Sequence, residues 1–249
     1  MRLGLIALAA ALFGGACSAQ ISDGGASSLD GADAGNPGDP GNDATPLAAC
    51  TSRTVYLNFD GQALTQGPSD ATQNIAGWMN KPAGLAPRYL DADPNRLTAI
   101  QTIVDGVRAQ LSQFPITVAT TRPDPGNSYV MIVLGGQRDA VGSNYTGAVN
   151  KLDCGDQRPN DVAWISDGVN PPQHVINNVI GAIGFGLGLT ATNDKKDCMC
   201  GWANGCLSDN NNPCTLGSPI QRDPNPDQPC IGAAAQQDEV AALHDAFCK

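Results

Sequence analysis

The chain has 249 residues, a formal charge of -10 and only 15% charged side chains. That length builds one sizeable core, and the acidity with no basic stripe or aromatic–basic interleaving excludes a nucleic-acid-binding surface. The negative balance is read as a solubility feature.

The first segment, 1–19, reads as a lipoprotein-type signal peptide. Arg2 is followed by the apolar run Leu3–Phe13 and then by small residues, a run too short for a bilayer span. The residues GGA before Cys17 resemble a lipobox, which implies a lipidated Cys17 and a bacterial envelope protein anchored to a membrane by that lipid; cleavage after Ala19 is the alternative. Gly14 stands where the lipobox carries leucine. Segment 20–49 is rich in Gly, Asp, Ala, Pro and Ser with almost no large apolar residue, so it is expected to be a disordered tether. Asp23, Asp30, Asp33, Asp39 and Asp43 lie in it, which leaves 13 basic and 19 acidic residues from Cys50 onward.

The folded part is expected over 50–249 as a single domain. TVYLNFDG (54–61) alternates, with Val55, Leu57 and Phe59 on one face, and predicts a strand. A loop containing Trp78 follows. Leu97, Ile100, Val104, Val107, Leu111 and Phe114 recur at three- and four-residue steps and predict a helix over 95–114. PITVAT (115–120) predicts a strand, SYVMIVLGG (128–136) a buried central strand, 146–153 an edge strand and 161–167 another strand. A helix with proline in its first turn spans 172–189. The region 198–249 is cysteine-rich and ends in a short helix over 236–247, with Val240, Leu243 and Phe247 inward. The helix between the first two strands implies a right-handed crossover and a parallel pair. The fold class is α/β (α+β): a twisted mixed β-sheet with two main helices on one face and a cysteine-rich C-terminal part.

Beyond Cys17 there are eight cysteines: Cys50, Cys154, Cys198, Cys200, Cys206, Cys214, Cys230 and Cys248. An even number in an exported chain reads as four disulfides, with the pairing open. Thiolate zinc at Cys198, Cys200, Cys206 and Cys214 is disfavoured, since that spacing fits no common zinc module.

The stretch GAIGFGLGL (181–189) carries four glycines in eight residues of a helical pattern. With the YLNFDG strand and the order of elements, it resembles the metzincin zinc peptidases over about 54–200. In that family the helix carries H-E-x-x-H-x-x-G-x-x-H, followed by a methionine turn. The resemblance places the motif's glycine on Gly188 and the methionine on Met199. It places the three histidines on Gly181, Phe185 and Ala191 and the glutamate on Ala182. None of those four reactive groups is present. The whole chain has two histidines, His174 and His244, and one glutamate, Glu239, too few for a three-histidine zinc site with its general base. The resemblance therefore implies a domain without peptidase activity and without a cofactor, with Phe185 filling the metal's place and the glycines letting the helix lie close to the sheet. A binding or structural role at the cell envelope follows, with a protein or peptide partner.

The alternative is a metallohydrolase with a non-standard site built from His174, His244 and aspartates. Weaker signals are read blandly. G-x-G-x-G at 184–188 lacks the residues of a phosphate loop. Ser143 and Ser166 lack a nucleophile context. The aspartates of 152–167 match no calcium loop and read as turn formers. Asn144 heads a formal glycosylation sequon that a bacterial export signal makes irrelevant.

Overall fold

The computed structural model describes residues 52–248. The expected leader and tether, Cys17 and Cys50 lie outside them.

The centre is a five-stranded sheet in the order β5-β1-β6-β8-β7. Its strands are β1 (Arg53–Asn58), β5 (Ile116–Ala119), β6 (Tyr129–Leu134), β7 (Ala148–Val149) and β8 (Val162–Ile165). β5, β1, β6 and β8 are parallel, and β7 joins β8 antiparallel at the edge. The mixed sheet, the parallel β1/β5 pair and the central place of β6 agree with the sequence reading. All six residues of β6 are buried, because both faces of the sheet are covered. Val130, Ile132 and Leu134 enter one core; Tyr129, Met131 and Val133 enter the other.

The first core is covered by α1 (Arg96–Gln110) and α3 (Pro172–Gly186). A third helix, α4 (Glu239–Phe247), joins them, with Leu243 and Phe247 buried and Phe247 edge-on to Phe114 at 5.8 Å. Leu97 departs from expectation. It lies on the apolar stripe of α1 by spacing but in the first turn, where it is 77% exposed. The packed stripe begins at Ile100 and is filled by Ile103, Val104 and Val107.

The second core corrects the sequence reading of a plain loop around Trp78. β2 (Gln62–Gln66), β3 (Ile75–Ala76) and β4 (Ala83–Ala86) form a separate small sheet. With the short helix α2 (Arg138–Val141) they line the second face through Leu64, Ala76, Ala86 and Val141. Trp78 donates its indole N–H to Val162 O at 2.8 Å and lies 6.2 Å from the Trp164 ring.

Between α3 and α4 the chain is mostly irregular apart from the pair β9 (Ile220–Gln221) and β10 (Gln236–Gln237). Disulfides replace regular structure there. Cys198 bonds to Cys214, Cys200 to Cys206, and Cys154 to Cys230; Cys248 is also disulfide-bonded. These bonds remove the thiolates that a zinc site would need and place the chain outside a reducing cytoplasm. Among the described residues, no helix is long and apolar enough to cross a membrane.

Candidate functional site

α3 begins at Pro172 behind Pro171 and is apolar over most of its circumference, so it is buried on nearly every side. Its glycines meet specific partners, which are not the sheet strands expected from the sequence. A Cβ on Gly181 would overlap the Trp202 indole nitrogen and lie 2.7 Å from Cys198 O. One on Gly184 would lie 2.8 Å from Met199 Sδ. α3 therefore approaches the disulfide-bonded segment Cys198–Trp202 more closely than any side chain would permit. Gly188 has φ +92°, and a Cβ there would lie 2.8 Å from Asp153 O. It reverses the chain just past α3, as a left-handed glycine beyond a helix end does.

The positions singled out by the resemblance fall as follows. Gly181, Ala182 and Phe185 share the latter half of α3, and Ala182 and Phe185 are buried. Phe185 packs against Trp202 at 5.4 Å between ring centroids. Ala182 O accepts from Asn150 Nδ2 at 2.8 Å. Ala191 lies in the segment beyond α3, with its carbonyl accepting from Asp223 N at 2.7 Å. Met199 is fully buried, and its N–H donates to Asp197 Oδ1 at 2.8 Å.

Above the Phe185–Trp202 pair opens a cleft of about 330 Å³. One wall is the β7 segment from Tyr145 to Asn150; the other is Gly201–Asn204 with Asp227 and Gln228. Ser166 N donates to Gly147 O at 2.8 Å, so the pairs 147–166 and 149–164 are the hydrogen-bonded ones. Ala148, between them, directs its N–H and C=O away from β8, toward the open edge. Tyr145 is 48% exposed at the same wall.

A second polar assembly lies behind Met199, and sequence reasoning missed it. Asp197 and Glu239 are both buried and hydrogen-bond carboxyl to carboxyl. Burial, followed by the nearby Asp197 charge, pushes Glu239 up to about 8; burial raises Asp197 as well. Such a bond needs a proton on one partner, and Glu239 holds it. Glu239 Oε1 accepts from Gln237 Nε2 at 2.7 Å and Oε2 from Gly217 N at 2.9 Å. Asp197 Oδ1 also accepts from Thr192 Oγ1 at 2.8 Å, while Oδ2 has no ordinary donor and is where the Glu239 proton would be received. Gln237 joins the assembly to Thr190 through three bonds.

The remaining candidates are structural. His174 sits in the first turn of α3 with Nδ1 3.2 Å from Asn170 O, and His244 is exposed on α4. Among the described residues no group of three or more His, Cys, Asp or Glu is arranged to hold a metal. Ser143 Oγ accepts from Tyr145 N, and Ser166 Oγ donates to Gly136 O. Asp156 pairs with Arg53 at 2.8 Å and Asp161 with Arg158 at 3.1 Å, while Asp167 accepts from Leu90 N and Gly136 N. Burial raises Asp161 to about 7 despite Arg158, and its Oδ2 is buried without a partner. Asn144 accepts from Asn80 Nδ2.

No protein-family model matches this chain, and a search of the curated proteins finds no match.

Proposed function

We propose that the domain is a catalytically inactive, metallopeptidase-like binding module of the cell envelope, whose cleft receives an extended peptide alongside β7. The observation that carries this reading is Ala148. Its N–H and C=O are aimed out of the sheet at the rim of a cleft floored by Phe185 and Trp202. An extended segment adds to such an edge through main-chain bonds and gains specificity from the pocket beside it. The metzincin resemblance supports the inactive half of the reading. Gly181, Ala182, Phe185 and Ala191 stand where that family carries its reactive groups, and Trp202 fills the space over Gly181. Export with a lipid on Cys17 would hold the module at a membrane.

The test is selection from a random peptide library on the purified mature chain, followed by affinity measurement. Ala148→Pro removes the open-edge donor and leaves the hydrogen bonds of the β8 ladder in place, because the Ala148 N–H does not serve that ladder. The variant should fold and lose about tenfold or more in affinity. Unchanged affinity would remove the edge-strand reading. Cleavage of casein by the pure chain, abolished by a chelator, would overturn the inactive reading.

A further inference from the structure

Next to the cleft, across the segment 223–229, is a separate cavity of about 290 Å³. Asp227 and Gln228 face the cleft, whereas Pro224, Pro226 and Pro229 wall the cavity together with Ala233–Ala235. Thr190, Gln221, Arg222, Asp223 and Cys230 complete the lining.

Arg222 is unlike the other described arginines. Arg53, Arg88, Arg96, Arg138 and Arg158 are paired with aspartates. Arg108 and Arg122 donate to backbone carbonyls at 3.1 and 2.6 Å. Arg222 has no ion pair among the described residues. Its side chain makes one long bond, Nη1 to Thr190 Oγ1 at 3.4 Å, and its Nε is buried without a partner. Burial pulls the guanidinium below its usual value, and the one opposing attraction, from Glu239, acts only when that carboxyl is ionised. The half-buried guanidinium thus has at its buried Nε a donor without the acceptor that burial requires.

The nearby acids do not supply it. Asp223 is adjacent in sequence, but its Oδ1 accepts from Asn225 N and its Oδ2 from Asn204 Nδ2. Glu239 has both oxygens filled by Gln237 and Gly217 and is bonded to Asp197. Thr190 directs its hydroxyl proton to Gln237 Oε1 at 3.2 Å, so it offers Arg222 a lone pair and no charge.

We propose that this cavity is a binding site for a short carboxylate, with Arg222 as the cation that pairs with it. A carboxylate matches the guanidinium fork in shape and charge. The prolines and alanines provide an apolar wall for a small aliphatic body, and a cavity of this size sits at the lower end of ligand pockets. Three prolines with fixed φ and the Cys154–Cys230 bond hold the wall in place before the ligand arrives, which lowers the ordering cost of binding. The carboxylate is that of a free short-chain acid or of a peptide C-terminus. The inference stands independently of the edge-strand reading.

The experiment is a titration of the full mature chain followed through the Arg222 Nε–H resonance. Three probes are used: sodium propionate, N-acetyl-dialanine as the acid, and the same dipeptide as its C-terminal amide. The acid forms should shift the resonance saturably. The amide should bind about 10- to 100-fold more weakly than the dipeptide acid, the worth of a charge-assisted hydrogen bond. Propionate binding as well as the dipeptide acid identifies a free acid; preference for the dipeptide identifies a chain terminus. Arg222→Gln should abolish binding of every probe, and Arg222→Lys should retain part of it. The acid-against-amide comparison needs no variant to fold. Equal binding of acid and amide, or no saturable shift below about 10 mM, the affinity range of the weakest specific sites, would overturn the proposal.

Discussion

The carboxyl of Glu239, the chain's one glutamate, is buried against the carboxyl of Asp197, and the two share a hydrogen bond. The contact joins the N-terminus of α4 to the segment that carries Met199. A folded-state value raised to about 8 from 4.5 means that the folded chain holds a proton the unfolded chain releases. The stabilising contribution is fully present below pH 4.5 and is lost as pH rises through about 8. Asp161, raised to about 7 from 3.8, adds in the same direction over its own window. Stability should therefore fall by about 1 kcal/mol per pH unit for each group, from both between pH 5 and 7 and from Glu239 alone between pH 7 and 8. Denaturant unfolding at pH 5, 6, 7 and 8 checks this, and a flat or rising profile would refute it. Glu239→Gln stays neutral and should flatten the slope, whatever its effect on the absolute stability.

Gly181→Ala should destabilise, although alanine in a helix interior usually gains about 1 kcal/mol over glycine. The new methyl would meet the Trp202 indole and the Cys198 carbonyl. The latter is backbone, fixed by the Cys198–Cys214 bond, so relief is difficult. A loss of about 1–3 kcal/mol is expected from overpacking, read from thermal or denaturant unfolding. A stabilised variant would mean that Trp202 does not lie against α3.

Trp202→Ala removes the ring stacked on Phe185 and opens the floor of the cleft. The expected cost is about 3–5 kcal/mol, together with loss of binding by peptides selected on the parent chain. Peptide affinity that survives this change would place the ligand elsewhere.

Replacing Cys154 and Cys230 together by serine should cost about 2–4 kcal/mol, because the bond spans a sequence separation of 76. It should also weaken carboxylate binding at Arg222, since the wall carrying Pro229 would lose its anchor to residue 154. Unfolding curves and the propionate titration on the double variant test both effects.

Much of the architecture was legible because its signals are local. SYVMIVLGG is apolar without a break, and this is what a strand buried on both faces looks like. PPQHVINNVI announces a helix start by proline and continues with helical periodicity. The small β2–β4 sheet was illegible because only Leu64 of β2 is buried and the strands are two to five residues long, so no alternation develops. The glycine run is plain in the sequence, but its partners are not. Trp202 and Met199 reach α3 through loops whose course depends on disulfides that spacing does not determine. The Asp197–Glu239 pair left one usable trace, a lone glutamate at the start of an apolar helix. Its partner, 42 positions earlier, became visible only in three dimensions. Arg222 carried no trace at all, since an arginine's lack of an acidic partner is a property of space.

The disulfide-bonded segment also imposes an order on the making of this molecule. The sheet, α1 and α3 are built from residues before Cys198, and none of the three disulfides seen here lies wholly within that stretch. What covers Gly181 and Gly184 of α3, and most of the wall of the cavity at Arg222, comes from Cys198 onward and takes its shape from oxidised sulfur. A copy held in a reducing compartment would thus present a nearly finished core with one helix uncovered, an adhesive surface for chaperones or for other chains. Passage to an oxidising space is the event that closes that surface, so folding and delivery finish together.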